Sequence, residues 1–170
     1  MPYALYLPLM DHDLRAERNF ILQYVQPGLL GLMDGSVSTL APIFAAAFAT
    51  GSAHITFLIG LSASVGAAIS MAFAEALSDT GVHTGRGHPV RRGFVTGTLT
   101  FVGGIVHTLP FLLPDLHAAL YWAYALVGIE LGVIAYVRNR YFGMGLALSL
   151  VQVVIGGLLV LFAGIVIGSG

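Results

Sequence analysis

The sequence contains no cysteine and no lysine, and charged residues make up only 9% of it. The lack of cysteine excludes disulfide bonds, thiolate metal ligands and a cysteine nucleophile. A soluble domain carries about 25% charged residues, so the low charge argues against a soluble protein. The hydrophobic fraction of 57% and the mean hydropathy of +0.89 instead predict an integral membrane protein.

Two further functional classes are disfavoured by what the sequence lacks. It has no basic run, and its net charge is -1, so nothing indicates nucleic-acid binding. No nucleophile with a paired base is recognisable among the sparse polar groups, and we therefore expect that the protein is not an enzyme.

All basic residues are arginines, and they fall in alternate connections between the apolar stretches. They precede the first stretch, lie between the second and third, and lie between the fourth and fifth. The positive-inside rule then predicts that every arginine faces the cytoplasm. The sequence therefore predicts an all-α protein with five transmembrane helices in the cell inner (plasma) membrane, its N-terminus cytoplasmic and its C-terminus on the opposite side. The arginines are Arg15, Arg18, Arg86, Arg91, Arg92, Arg138 and Arg140.

The chain divides into an N-terminal segment and one membrane domain. Residues 1–26 are expected to be cytoplasmic or to lie at the membrane surface, because part of the segment is amphipathic. The membrane domain covers residues 27–168, and its predicted spans are at about 27–49, 54–77, 94–113, 117–137 and 141–167.

Asp34 lies within the first apolar stretch, roughly 10 Å from its polar end at 1.5 Å per helical residue. An ionised carboxylate in hydrocarbon costs from about 2.5 to over 10 kcal/mol, so such a group is expected to face a cavity and to have a function. Pro42 follows in the same helix and leaves a backbone carbonyl near Ser38 without its helical partner, which makes this position a candidate for a kink or an ion ligand.

Met71 and Glu75 are four residues apart in the second span and share one helical face. Met71 is expected at about the depth of Asp34, with Glu75 nearer the surface. Two carboxylates suit a divalent cation, and a thioether favours softer transition metals over Mg²⁺ and Ca²⁺. The alternatives are that Met71 only packs and that Glu75 is an interfacial charge reaching water.

Other polar residues give weaker candidates. Asp79, His83 and His88 in the second connection are candidate ligands for metal capture, although their spacing matches no recognised ligand pattern and histidines in such loops are more often merely solvated. His107 in the third span is expected close to the outer face, either handling protons or as a structural histidine. Glu130 in the fourth span is a candidate proton carrier, an additional cation ligand or a hydrogen-bonding partner of a neighbouring helix.

The motifs together resemble the vacuolar iron transporter family. That resemblance is carried by residues 33–39 (MDGSVST), residues 70–78 (SMAFAEALS), and Gly103-Gly104 with Pro110. The chain is more closely similar to the membrane domain of bacterial membrane-bound ferritins, through residues 24–27 (YVQP), Ser78-Asp79, residues 85–87 (GRG) and residues 139–141 (NRY). The similarity covers almost the whole chain after about residue 14.

The resemblance implies a five-span homodimer that exports Fe²⁺, with Mn²⁺ as a second candidate ion, from the cytoplasm in exchange for protons. It implies Asp34 and Met71 as intramembrane metal ligands and Glu75 at the cytoplasmic entrance, with the first spans of two subunits flanking a shared pathway. The metal is then the transported substrate, and no permanently bound cofactor is expected.

Two departures from these relatives leave a second function open. The Glu-rich insertion between the second and third spans of vacuolar members is replaced by a short connection, and residues 1–20 lack the Glu-x-x-His motifs of a ferritin-like domain. The alternative is a membrane anchor or assembly subunit that moves no ion and serves a soluble ferritin-like partner, or a transport domain separated from a fused domain.

Overall fold

The computed structural model describes residues 13–170, and within them it contains helices and connections but no strand. This confirms the predicted all-helical membrane fold with five long helices. Their bounds are α1 Asp13–Thr50, α2 Ala53–Ser78, α3 Pro89–Val106, α4 Leu116–Phe142 and α5 Leu146–Ser169. A short 3-10 helix, Leu109–Leu112, lies between α3 and α4. Residues 1–12 of the predicted N-terminal segment lie outside the described residues.

Helix α1 passes without a break from the N-terminal segment into the first span. Its residues Ile21–Val25 form a π-helical turn, and an α-helical part, Gln26–Thr50, follows. A π-helical turn takes in an extra residue relative to the regular α-helical repeat. The boundary expected near residue 26 therefore falls inside one continuous helix.

Four of the helices, α1, α2, α4 and α5, are long and apolar enough to cross a membrane. Helix α3 has 18 residues, which is about 27 Å and slightly less than a hydrocarbon core of about 30 Å. It also differs from the expected span 94–113 at both ends. Pro89 fits the first helical turn, where its missing N–H is not needed. The helix ends at Val106 because Pro110 has no N–H to donate to that carbonyl.

Helix α1 lies at the centre of the bundle and approaches α3 through glycines. Gly31 and Gly35 lie against the backbone carbonyls of Thr96 and Thr100, and a Cβ at either glycine would overlap those groups. Gly31 faces Thr96, and Gly35, four residues later, faces Thr100, which is also four residues later. The two helices therefore run parallel.

The remaining helices surround this pair. Helix α5 approaches α1 closely as well, since Gly164 and Gly168 lie against the backbone of Ala41 and Ala45. Helix α2 packs on both α1 and α3, whereas α4 packs mainly on α5 and the 3-10 helix. Helix α1 is thus the element from which the other positions are fixed.

One end of the bundle gathers the arginine-bearing segments. The guanidinium carbon of Arg91, at the start of α3, lies 5.9 Å from the ring centre of Tyr24 in α1. The ring of Phe20 in α1 lies 6.4 Å from that of Tyr141 at the end of α4, and the Arg140 guanidinium lies 5.5 Å from the Tyr141 ring. These segments share one end, as the alternate placement of arginines requires. Which side of the membrane that end faces stays a prediction.

We expect Gly35→Ala to destabilise the bundle, because the new methyl group would overlap the Thr100 carbonyl. Overpacking of this kind costs about 1–3 kcal/mol. Gly66→Ala is the control, since nothing lies within 4 Å of a Cβ there and alanine is favoured in helices by about 0.5–1 kcal/mol. Thermal unfolding of both variants in detergent measures the difference. Equal midpoints would contradict the close approach of α1 and α3.

Candidate functional site

Asp34 lies on a face of α1 that the other helices leave open. Its side chain is half-buried and makes no hydrogen bond or ion pair with any residue in 13–170. Leu30 and Ser38, one turn to either side, are exposed. Pro42 lies inside the helix and has no N–H, so the Ser38 carbonyl lacks its helical partner. The open face therefore presents a carboxylate and a backbone oxygen one turn apart.

Glu75 is buried at the end of α2 and is held by two arginines. Its Oε1 accepts a hydrogen bond from Arg92 Nε at 2.8 Å and lies 2.9 Å from a terminal nitrogen of Arg86. Its Oε2 makes no hydrogen bond within residues 13–170. The carboxylate is thus paired with two arginines through Oε1, while Oε2 accepts no hydrogen bond from residues 13–170.

Met71 lies one turn before Glu75 and is half-buried. Ser64, which is buried, shares this side of α2 by helical spacing. No hydrogen bond or ion pair joins Asp34 to Glu75 in the part of the chain that the structure describes. The three predicted metal ligands therefore divide into an open carboxylate, a half-buried thioether and a carboxylate clamped by arginine.

The side chain of Arg92 is fully buried and binds the connection that precedes its own helix. Besides its bond to Glu75, it donates to the backbone carbonyls of Arg86 and Gly87 at 3.2 and 3.0 Å, and to that of Asp79 at 2.8 Å. The guanidinium thereby fastens the connection between α2 and α3 over the end of α2.

The structure does not gather Asp79, His83 and His88 of this connection into one group of ligands. Asp79 accepts hydrogen bonds from the Thr84 hydroxyl at 2.6 Å and from the Gly81 amide at 2.8 Å, and these bonds lower the pKa of the Asp79 carboxyl. His83 and His88 are exposed. Within residues 13–170 no group of three or more histidine or acidic side chains is placed to hold a metal ion. Both Asp79 oxygens help to close the turn, and a role of these three residues in metal capture stays a prediction.

His107 and Glu130 meet in the interior of the bundle. His107 Nδ1 lies 2.8 Å from Glu130 Oε2, and its Nε2 lies 2.8 Å from the Thr39 hydroxyl oxygen. Thr39 is about midway along Gln26–Thr50, so His107 lies at mid-depth, not near the outer face as expected. The physical reason is that α3 ends at Val106, well before the expected end of the third span, and the 3-10 helix Leu109–Leu112 continues the chain beyond His107.

Sequence reasoning missed Arg86, Arg92 and Thr39 as parts of these sites. For Arg92, the available signal was a buried carboxylate on a preceding helix that requires a cation. For Thr39, the signal was its position within the same polar stretch as Asp34, although spacing alone does not indicate a bond to a residue 68 positions away.

The fold and these groups define a polytopic membrane protein with ionisable side chains inside its helical bundle. The chain matches the family model described as the VIT family over residues 78–169. This is more than half of its length, and the chain belongs to that family, as the motif resemblance predicts. Family membership makes it a membrane transporter of metal ions.

The matched region contains α3, α4 and α5 with His107 and Glu130, whereas Asp34 and Met71 precede it. The roles of these two residues therefore rest on the motif resemblance and on their placement. No curated protein and no solved structure gives a significant match.

We expect Arg92→Met to destabilise the protein by about 3–5 kcal/mol, because it leaves a buried carboxylate and several carbonyls without their donor. Arg92→Lys is expected to be intermediate, since an ammonium cannot reproduce the planar set of donors. Arg91→Met is the control, because Arg91 is exposed. Thermal unfolding in detergent measures all three, and a similar loss for Arg91→Met and Arg92→Met would contradict the clamp.

Proposed function

We propose that the protein exports a divalent transition metal, Fe²⁺ with Mn²⁺ as the second candidate, from the cytoplasm in exchange for protons. The observation that carries this proposal is Asp34, a half-buried carboxylate inside a membrane-spanning helix that has no hydrogen-bond or ion-pair partner among residues 13–170. Such a group is retained in a membrane protein where it meets a cation or a proton. Membership of the VIT family supports a metal ion as the cation.

The donor set supports a transition metal over Mg²⁺ or Ca²⁺. Asp34 and the Ser38 carbonyl offer hard oxygen ligands, and Met71 offers the softer thioether that the harder ions do not favour. One protomer supplies few ligands on this open face. We propose that a second copy packs against it, so that two Asp34 side chains contribute to one pathway in a homodimer.

Glu75 fits the cytoplasmic entrance in this proposal. It lies on the same bundle end as Arg86 and Arg92, and the positive-inside rule assigns that end to the cytoplasm. The N-terminus is then cytoplasmic and the C-terminus lies across the plasma membrane. Because Oε2 accepts no hydrogen bond within residues 13–170, Glu75 retains one oxygen for an incoming cation while the arginines hold the other.

Proton coupling requires ionisable groups that lose a proton as the metal binds. Asp34 is one, because a carboxylate binds either a proton or a divalent cation. Glu130 and His107 are the second candidates, since both are buried within the bundle. The exchange of metal for protons then follows because the metal ion and the proton compete for the same carboxylate.

We expect Asp34→Asn to abolish metal flux while the protein stays folded, because the neutral amide costs less in the membrane than a carboxylate does. Uptake of Fe²⁺, Mn²⁺ and Mg²⁺ into proteoliposomes under an imposed pH gradient measures this. Asp115→Asn is the matched control, because Asp115 is exposed and caps α4 through the His117 amide, a bond that asparagine also makes.

Three outcomes separate the alternatives. Gradient-dependent Fe²⁺ or Mn²⁺ flux that is lost only in Asp34→Asn supports export and excludes an anchor without transport. Equal flux in wild type and Asp34→Asn removes Asp34 from the mechanism. Folded wild type that carries no ion, but co-purifies with a ferritin-like protein, would favour the anchor function.

A further inference from the structure

An unbroken hydrogen-bond chain joins three helical elements in the interior of the bundle. Glu130 Oε2 on α4 contacts His107 Nδ1 at the end of α3, and His107 Nε2 contacts the Thr39 hydroxyl on α1. The Thr39 hydroxyl also lies 2.7 Å from the Gly35 carbonyl oxygen, to which it donates. Thr39 and His107 are fully buried, and Glu130 is 7% exposed.

The donors and acceptors of this chain determine how many protons it holds. A hydroxyl has a single hydrogen, and Thr39 gives its hydrogen to the Gly35 carbonyl. His107 Nε2 must therefore carry a proton and donate it to Thr39. A second proton then lies between His107 Nδ1 and Glu130 Oε2, because otherwise a lone pair would face a carboxylate. In this state the His107–Glu130 pair has no net charge.

The second oxygen of Glu130 favours this uncharged state. Oε1 is buried and has no hydrogen-bond partner within residues 13–170. A fully charged carboxylate with an unsatisfied buried oxygen is costly, whereas the carbonyl oxygen of an uncharged acid needs less compensation.

We propose that His107 and Glu130 form one proton-binding site, and that the Thr39 hydroxyl changes its hydrogen-bond acceptor when this site releases its proton. Release removes one proton from the pair and leaves one negative charge. The remaining proton then lies on Nδ1 and is donated to the Glu130 carboxylate. Nε2 becomes an acceptor, and Thr39 turns its hydrogen from the Gly35 carbonyl to Nε2.

The other ionisable groups on the surrounding helices lie at other levels of the bundle. Helix α5 has none, and the nearest on α1 is Asp34, five residues before Thr39 and about 7.5 Å along the axis. The remaining ones on α1 to α4 are Asp13, Arg15, Glu17, Arg18, Tyr24, His54, Glu75, Arg91, Arg92, His117, Tyr121, Tyr124, Tyr136, Arg138, Arg140 and Tyr141.

The site is placed to respond to a cation at Asp34. We call the change of the Thr39 hydrogen from the Gly35 carbonyl to His107 Nε2 the Thr39 switch. It removes a hydrogen bond from the carbonyl of Gly35, the residue that follows Asp34. A divalent cation at Asp34 would offset the negative charge that proton release leaves on the pair. That the released proton is the one exchanged for metal rests on the proposed function, whereas the site itself does not.

The test is ¹⁵N NMR of histidine-labelled protein in detergent over the pH range in which it stays folded. The His107 signals are assigned by their loss in His107→Gln. We expect wild type to change from protonated Nε2 at low pH to protonated Nδ1 at high pH. The change should disappear in Glu130→Gln and in Thr39→Val, and it should persist in Thr39→Ser, which keeps the hydroxyl. A wild-type His107 that keeps one protonation pattern throughout would overturn the proposal, as would an unchanged switch in Thr39→Val.

Mn²⁺ flux in proteoliposomes distinguishes this site from the transport function. If wild type shows the change of protonation, Mn²⁺ flux in Glu130→Gln is the next measurement. Flux in this variant that follows the metal gradient but not the pH gradient supports the site as the source of the exchanged proton. A switch observed in a wild type that moves no Mn²⁺ supports the proton site and contradicts the proposed function. Gradient-driven flux in a wild type without the switch overturns the site and leaves the function intact.

Discussion

The close approach of α1 and α3 is the contact on which the other arrangements depend. Glycines let the α1 backbone lie against the α3 carbonyls, and this fixes both the depth and the rotation of the two helices relative to each other. At that depth Thr39 reaches His107, and at that rotation Asp34 lies on a face that other helices leave open. A larger residue at Gly31 or Gly35 would therefore affect two ionisable sites with which it makes no side-chain contact.

Three buried or half-buried acids occur in three different electrostatic settings. Glu75 is paired with arginine, Glu130 is hydrogen-bonded to His107, and Asp34 has no hydrogen-bond or ion-pair partner in the part of the chain that the structure describes. A buried ion pair contributes little net stability but is costly to break, so the arginine pair is suited to holding the end of α2 in place. An unpaired carboxylate has the opposite property, because its charge remains available to an ion from outside the protein.

Much of the fold follows from the sequence, because long apolar stretches and alternate arginines determine helix number and order. The limits of α3 did not follow, since hydropathy continues past Val106 and the end is set by a missing N–H at Pro110. Asp34 was recognisable because an isolated charge in an apolar run is conspicuous. The pairing of Glu75 with Arg86 and Arg92 was not, because side chains on a connection and on two different helices meet only after the bundle has packed. Thr39 was overlooked for the same reason.

The π-helical turn in α1 has a consequence for how this chain tolerates length changes. The residues of this turn, Ile21–Val25, complete about the same rotation as an α-helical stretch one residue shorter, because a π-helical turn takes in an extra residue. Removing one residue there would restore a regular α-helical turn, so residues 13–20 would keep their facing relative to Asp34. The membrane-spanning part and its contacts with α3 would also keep their register. A change of one residue in chain length at this point therefore alters the turn and leaves the helix faces on either side of it in place.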